Sequence, residues 1–255
     1  MSEYVMTRLE EGVLSVRLQR PEKKNALTAD MYAALADAIE RAAADPAVRV
    51  VLLGGVEGVF TAGNDLEDFL RHPPRDEEAP VHRFISALAA TDLPLVAAVD
   101  GAAVGIGTTM LLHCDQVFAS DRARFSLPFV NLGLVPEAGS SLLLAQACGY
   151  RKAAELLMLG EPFGAAEALQ YGIVSSVLPA AETEVAALAA ARKLAAKPRG
   201  ALRATKRLMR RPAEPLADRL RAEATVFAQC LESPEAREAF SAFLEKRQPD
   251  FSRFD

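Results

Sequence analysis

Cysteine and histidine are both scarce in this chain. Its three cysteines, Cys114, Cys148 and Cys230, are far apart, odd in number and without a CxxC pair, which argues against a disulfide framework or a zinc site. The three histidines, His72, His82 and His113, show no HExxH or other paired spacing, so no metal site is expected. Positive charge is not in excess either. Twenty-nine Lys and Arg against 34 Asp and Glu leave a formal charge of −5, the wrong sign for a nucleic-acid surface, although a local basic patch could still hold a small phosphorylated ligand. Long apolar runs are missing too. Leu93 to Leu112 is interrupted by Pro94, Asp100, Gly101, Gly105 and Gly107, so it reads as a buried strand, a glycine turn and a short helix, not as a membrane span. Met1-Ser2-Glu3-Tyr4 lacks the regions of a signal peptide, and Ser-Arg-Phe-Asp is no peroxisomal address. A cytoplasmic location is the expectation.

What is present is an ordinary globular composition, 255 residues with 51% hydrophobic and 25% charged, able to bury roughly three quarters of its unfolded surface. Gly12–Gln19 alternates apolar and polar positions, while 48–53, Leu95–Val99 and 116–119 are short Val/Leu/Ala-rich runs; all four are expected strands. Thr28 is a suitable cap for a helix in which Met31, Leu35 and Ile39 share a face. Strands alternating with helices predict an α/β fold with crossover connections. From about Glu182 the sequence becomes Ala-rich and helical, broken at Lys197-Pro198-Arg199-Gly200 and restarted at Ser233-Pro234-Glu235. The apolar face of this last third fits either a partner subunit or the chain's own core. The stretch 71–80, with Pro73-Pro74 and the charges Arg75, Asp76, Glu77 and Glu78, is either a solvated loop or the rim of a ligand groove.

Three segments can carry chemistry. Phe60-Thr61-Ala62-Gly63-Asn64-Asp65-Leu66 and Asp100-Gly101-Ala102-Ala103-Val104-Gly105-Ile106-Gly107 are glycine turns that follow strand candidates. Such turns expose backbone N–H groups that can bind an anion, although glycine there also serves plain geometry. The second is not a GxGxxG fingerprint, which disfavours a dinucleotide site. The third segment, 131–141, surrounds the single carboxylate Glu137 with apolar residues. Glu137 is either a first-turn helix glutamate or a base whose pKa is raised by an apolar pocket.

These segments, in their order and spacing, resemble the crotonase (enoyl-CoA hydratase/isomerase) superfamily. So do Arg20-Pro21-Glu22-Lys23-Lys24-Asn25-Ala26-Leu27, Cys114-Asp115, 165–174 and Phe243-Leu244-Glu245-Lys246-Arg247. The resemblance covers nearly the whole chain. It implies a crotonase-like spiral of repeated ββα units over 1–195 and a C-terminal helical oligomerisation region over 196–255, assembled as a trimer or a dimer of trimers. The implied ligand is an acyl-CoA thioester, with coenzyme A belonging to the substrate and no separate cofactor. Its enolate oxygen would lie between the backbone N–H groups of Asn64 and Ile106, each such donor being worth about 3 kcal/mol. By the same resemblance Lys23 and Lys24 meet CoA phosphates, Ala26, Ala62, Asp65 and Leu66 line the CoA path, and Phe243 and Lys246 reach a neighbour's CoA.

The family's hydratases place two glutamates where this chain has Thr109 and Phe129. Glu137 instead falls where a branch of Δ3,Δ2-enoyl-CoA isomerases carries one catalytic glutamate. The resemblance therefore implies an isomerase with Glu137 as the single base, behind an apolar acyl-pocket wall of Phe129, Leu132 and Val135. Hydration, dehalogenation or thioester hydrolysis using Asp65, Asp115 or Asp121 remains an alternative, as does a CoA-binding protein without turnover.

Overall fold

A computed structural model describes residues 2–254. Its strands, in chain order, are β1 (Val5–Glu10), β2 (Val13–Leu18), β3 (Val50–Gly54), β4 (Val59–Thr61), β5 (Leu95–Val99), β6 (Ala102–Val104), β7 (Gln116–Ser120), β8 (Arg124–Ser126), β9 (Phe163–Gly164) and β10 (Ser176–Leu178). The helices are α1 (Ala29–Ala44), α2 (Leu66–Arg71), α3 (Pro80–Ala90), α4 (Ile106–Thr109), α5 (Ser140–Cys148), α6 (Tyr150–Leu159), α7 (Ala165–Gln170), α8 (Ala180–Ala195), α9 (Arg199–Met209), α10 (Leu216–Leu231) and α11 (Pro234–Leu244). The strands form two sheets, ordered β1-β2-β3-β5-β7-β10 and β4-β6-β8-β9. Successive strands β3/β4, β5/β6 and β7/β8 divide between the sheets, one to each, and the pairing from β2 to β10 in the larger sheet is parallel. The chain thus winds as a spiral, each turn adding one strand to each sheet, as the ββα expectation requires.

The continuous Val/Leu character of β3 has a direct cause. Side chains alternate across a strand, and both faces of this one are covered. Val51 and Leu53 enter the main core with Met31, Leu35 and Ile39 of α1. Val50 and Leu52, with Val13 and Val96, pack instead on Ala187, Ala191 and Ala195 of α8. Thr28 caps α1 by accepting the Met31 N–H at 3.4 Å, and Ser233 caps α11 by accepting the Ala236 N–H at 3.1 Å.

The change of composition near Glu182 falls within an element that covers the larger sheet. It marks α8, whose small alanines let a helix lie flat on the sheet. Beyond it, α9 is fastened to the core by charge. Lys206, 5% exposed, donates to Leu93 O at 2.6 Å and to Asp115 Oδ2 at 2.7 Å, and Arg203 and Arg207 both pair with Asp92. The apolar residues of α10 and α11 behave differently: Phe227, Phe240, Phe243 and Leu244 are exposed on this chain.

Burial disfavours the charge of Lys206, lowering its pKa, while Asp115 opposes that. Removing one partner of such a pair leaves the other unpaired in a site built for both. Lys206→Ala is expected to destabilise the protein by about 3 kcal/mol, measurable as a lower midpoint in urea with an unchanged slope.

Candidate active site

The two glycine turns meet because β4 and β6 are parallel neighbours, with Val59 opposite Ala102 and Thr61 opposite Ala103. The chain leaves both strands at the same edge. Gly63, at φ +87°, lies so close to the second turn that a Cβ there would sit 2.7 Å from Val104 O. The first turn is laced on its other side to residues 24–27: Ala62 N–H donates to Lys24 O (2.9 Å), Leu27 N–H to Gly63 O (2.8 Å) and Asp65 N–H to Leu27 O (2.9 Å). Gly63 N–H goes to Thr61 Oγ1 at 3.1 Å. Among the described residues, no turn or loop carbonyl takes the Asn64 N–H. In the second turn, Gly105 N–H donates to Ser126 O, and the N–H groups of Thr108 and Thr109 both turn back to Gly105 O. Ile106 opens α4, and the first N–H of a helix has no acceptor within it.

Asn25 explains part of the Asn-Ala-Leu motif. It is fully buried at φ +54°. Its Oδ1 accepts the Arg20 N–H at 2.7 Å, and its Nδ2 donates to Val59 O and Phe60 O. It is a strut that fixes the 20–27 segment against β4. Arg20 in turn pairs with Asp65 at 2.8 Å, which also caps α2 by accepting the Asp68 N–H. These contacts hold the Asp65 carboxyl below its usual range, Arg20 foremost. Asp65 is thus tied into the protein through side chain and backbone alike, its N–H going to Leu27 O and its carbonyl accepting the Phe69 N–H. Lys23 and Lys24 are exposed on a short 3-10 turn beside it, and Ala26, Ala62 and Leu66 lie along the same laced segment.

Glu137 arrives from the other side. It lies ahead of α5, separated from it by Ala138 at φ +54° and Gly139 at φ +67°, so it is not a first-turn helix glutamate. Left-handed backbone at alanine costs about 1–2 kcal/mol. Ser140 holds the bend through its N–H and its hydroxyl, both donated to Glu137 O at 3.0 and 2.7 Å. His113 Nε2 donates to Ala138 O at 2.8 Å; burial lowers the pKa of this ring, and its partner assigns the proton to Nε2. The His113 carbonyl accepts from Arg210, the residue after α9, at 2.5 Å.

The Glu137 carboxylate itself has two unlike oxygens. Oε1 accepts from Thr109 Oγ1 at 2.5 Å, one helical turn beyond Ile106. Oε2 is buried with no partner among the described residues. Burial pushes the pKa up to about 7, against the lowering effect of Thr109 and a weaker one of His82. Tyr32, buried on α1, donates its hydroxyl to Asn64 Oδ1, and its own pKa is raised first by burial and then by the charge of Glu137. Tyr32 and Thr109 thus belong to the cluster, although nothing in the sequence singled out Tyr32, and Thr109 stood out only as a missing carboxylate.

The other expected residues are placed less favourably. Phe129 is buried beside Gly105. Leu132 and Val135, however, are 53% and 79% exposed, because the 3-10 turn Val130–Leu132 ends at Gly133 in the left-handed region and carries the segment outward. Within this chain the expected apolar wall is reduced to Phe129. Phe243 and Lys246 lie at the C-terminal end of α11, the former 81% exposed. Asp115 is committed to Leu95 N–H and Lys206. A cavity of about 280 Å³ opens beside Tyr32, lined by Leu27, Phe69, Pro73, Pro74, Pro80 and Val81, which makes the 71–80 stretch the rim of a groove. A larger groove of about 740 Å³ lies by α8, but its Arg17 and Arg122 are already paired with Glu184 and Asp100.

The raised pKa has a consequence for stability. A proton is held more tightly by folded than by unfolded Glu137, so its contribution is complete below pH 4.5 and lost as pH rises through about 7. At about 1.4 kcal/mol per tenfold change, the ionised carboxylate costs roughly 3 kcal/mol above that pH. Glu137→Gln is expected to gain stability relative to the parent between pH 5 and pH 8, by about 2–3 kcal/mol in urea midpoints compared at both pH values. A difference that does not vary with pH would contradict the burial of Glu137.

Comparison with known proteins agrees with this architecture. A family model described as enoyl-CoA hydratase/isomerase matches residues 8–253. The chain is 36% identical to the 2,3-dehydroadipyl-CoA hydratase of Escherichia coli (strain K12), over 98% of this chain and 99% of that one. It is also 36% identical to enoyl-CoA delta isomerase 2 of Rattus norvegicus, over 82% of this chain and 55% of that protein. A solved structure from Magnetospirillum magneticum AMB-1, described as an enoyl-CoA hydratase/carnithine racemase, superposes with a TM-score of 0.96 at 53% identity, covering 99% of this chain and 100% of the other. The chain belongs to the enoyl-CoA hydratase/isomerase family, within the crotonase superfamily.

Proposed function

We propose that this family member moves the double bond of a 3-enoyl-CoA to the trans-2 position, with Glu137 as its single acid–base group. The observation that carries the reading is the state of the Glu137 carboxylate: one oxygen held by Thr109, the other buried and unpartnered. Where a hydratase would have a second carboxylate, this chain has a hydroxyl that is already spent on orienting the first. Relatives bearing hydratase and isomerase names are both 36% identical, the former over more of its length, so the choice rests on these side chains.

The thioester oxygen lies between the Asn64 and Ile106 N–H groups, which stabilise the charge that develops there as the α-proton leaves. Glu137 Oε2 takes a proton from C2, giving a dienolate whose negative charge is shared between the thioester oxygen and C4. The same carboxyl then returns that proton to C4, and the double bond settles between C2 and C3. No water enters the balance. A base with pKa near neutrality suits both halves, since it must accept a proton and then give it back. The acyl tail runs into the cavity beside Tyr32. CoA passes along Ala26, Ala62 and Leu66 with Lys23 and Lys24 at its phosphates. Exposed Phe227, Phe240, Phe243 and Leu244 of α10 and α11 are covered by neighbouring copies in a trimer or a dimer of trimers, which brings Phe243 and Lys246 to a neighbour's CoA.

Glu137→Gln is expected to lower isomerisation of a 3-enoyl-CoA by about a thousandfold, with hydration of a 2-enoyl-CoA negligible in both proteins. Because the ionised form is the base, kcat/KM of the parent rises with pH through about 7. Robust hydration, or isomerisation indifferent to Glu137, would overturn the assignment.

A further inference from the structure

Tyr32 lies outside every motif that led to the site, yet its hydroxyl reaches the corner where the thioester oxygen is proposed to bind. It stands on α1, a sixteen-residue helix anchored in the main core, and its ring packs on Phe84 with centroids 5.7 Å apart. Its side chain is therefore a rigid post. The one proton of the phenol is donated to Asn64 Oδ1. Asn64 is joined to Leu27 on its backbone side and follows Gly63, whose turn presses on Val104.

An asparagine left free in a turn commonly turns its Oδ1 onto nearby backbone N–H groups. That habit would draw the carboxamide into the corner and tilt the peptide before it. Here the oxygen is already occupied. We infer that Tyr32 is a positioning residue: by holding the Asn64 carboxamide away from the turn, its hydroxyl fixes the direction of the Asn64 N–H toward the thioester oxygen. Tyr32 touches no reacting atom in this scheme. The inference rests on the proposed role of the Asn64 N–H and extends it to a residue on a different element.

The test reads the donor directly. The carbonyl stretch of a saturated acyl-CoA labelled with 13C at C1 is measured bound to the parent, to Tyr32→Phe, to Asn64→Ala and to the double variant, alongside isomerase kinetics and thermal melts. The parent is expected to lower the stretch relative to water, and Tyr32→Phe to give part of that lowering back. In the same variant kcat falls roughly tenfold, about the worth of one hydrogen bond, with KM within about twofold. Asn64→Ala removes the same hydrogen bond from the loop side without disturbing α1, and the double variant is expected to be no slower than the worse single one. A Tyr32→Phe protein with the parent's stretch and kcat, or losses that multiply in the double variant, would overturn the inference. Absence of any lowering in the parent would instead remove the oxyanion role of Asn64, and this inference with it.

Discussion

Two short parallel strands, β4 and β6, end side by side, and the site depends on how closely the turns after them can approach. Gly63 sits under Val104 O at a distance that no side chain could share. That contact sets the spacing between the Asn64 and Ile106 peptides before any catalytic side chain is considered. Asn25 and the 24–27 segment hold the first turn from outside, and Ser126 holds the second. Because the proposed donors are backbone groups, the side chains at 64 and 106 are free to serve other ends. Ile106 uses this freedom to fill the core, and Asn64 uses it to meet Tyr32.

Around Glu137 two opposing effects are set against each other. Withdrawal from water raises the energy of the carboxylate, and the Thr109 hydroxyl recovers part of it. The outcome is a group near the midpoint of its titration at neutral pH, which neither effect alone would give. The strained Ala138 and the contacts from Ser140 and His113 keep this carboxylate ahead of α5 instead of within it. Backbone strain is located next to the one side chain whose position matters most, a pattern common at functional sites.

Much of this was legible in the sequence, for identifiable reasons. The strands β2, β3, β5 and β7 were readable because burial on both faces or on one leaves a strong apolar signature, and α1 and α11 because their caps are chemically explicit. The three-residue strands β4, β6 and β8 are too short to show any period, and β1 buries only Val5. Glu137 and the two turns stood out through their glycines and through one carboxylate in apolar surroundings, and the resemblance to a family pattern assigned their roles; the packing of α8 on the sheet could not be read because alanine favours helix wherever the helix packs. The exposure of Leu132 and Val135 on this chain was not legible, because apolar character does not reveal that Gly133 turns their segment outward. The pairing of Arg20 with Asp65, 45 residues away, and of Tyr32 with Asn64 exists only once the spiral has closed.

The chain of contacts from Arg210 through the His113 carbonyl, and from the His113 ring to Ala138 O, joins the end of α9 to the peptide that follows Glu137, the proposed base. The helical tail and the spiral are therefore not interchangeable modules. A homologous tail grafted onto this spiral has to bring a donor to the His113 carbonyl at that point if this contact behind Glu137 is to be kept. Divergence of the outer surface of α9 to α11 can alter how copies assemble while leaving this contact at the His113 carbonyl untouched.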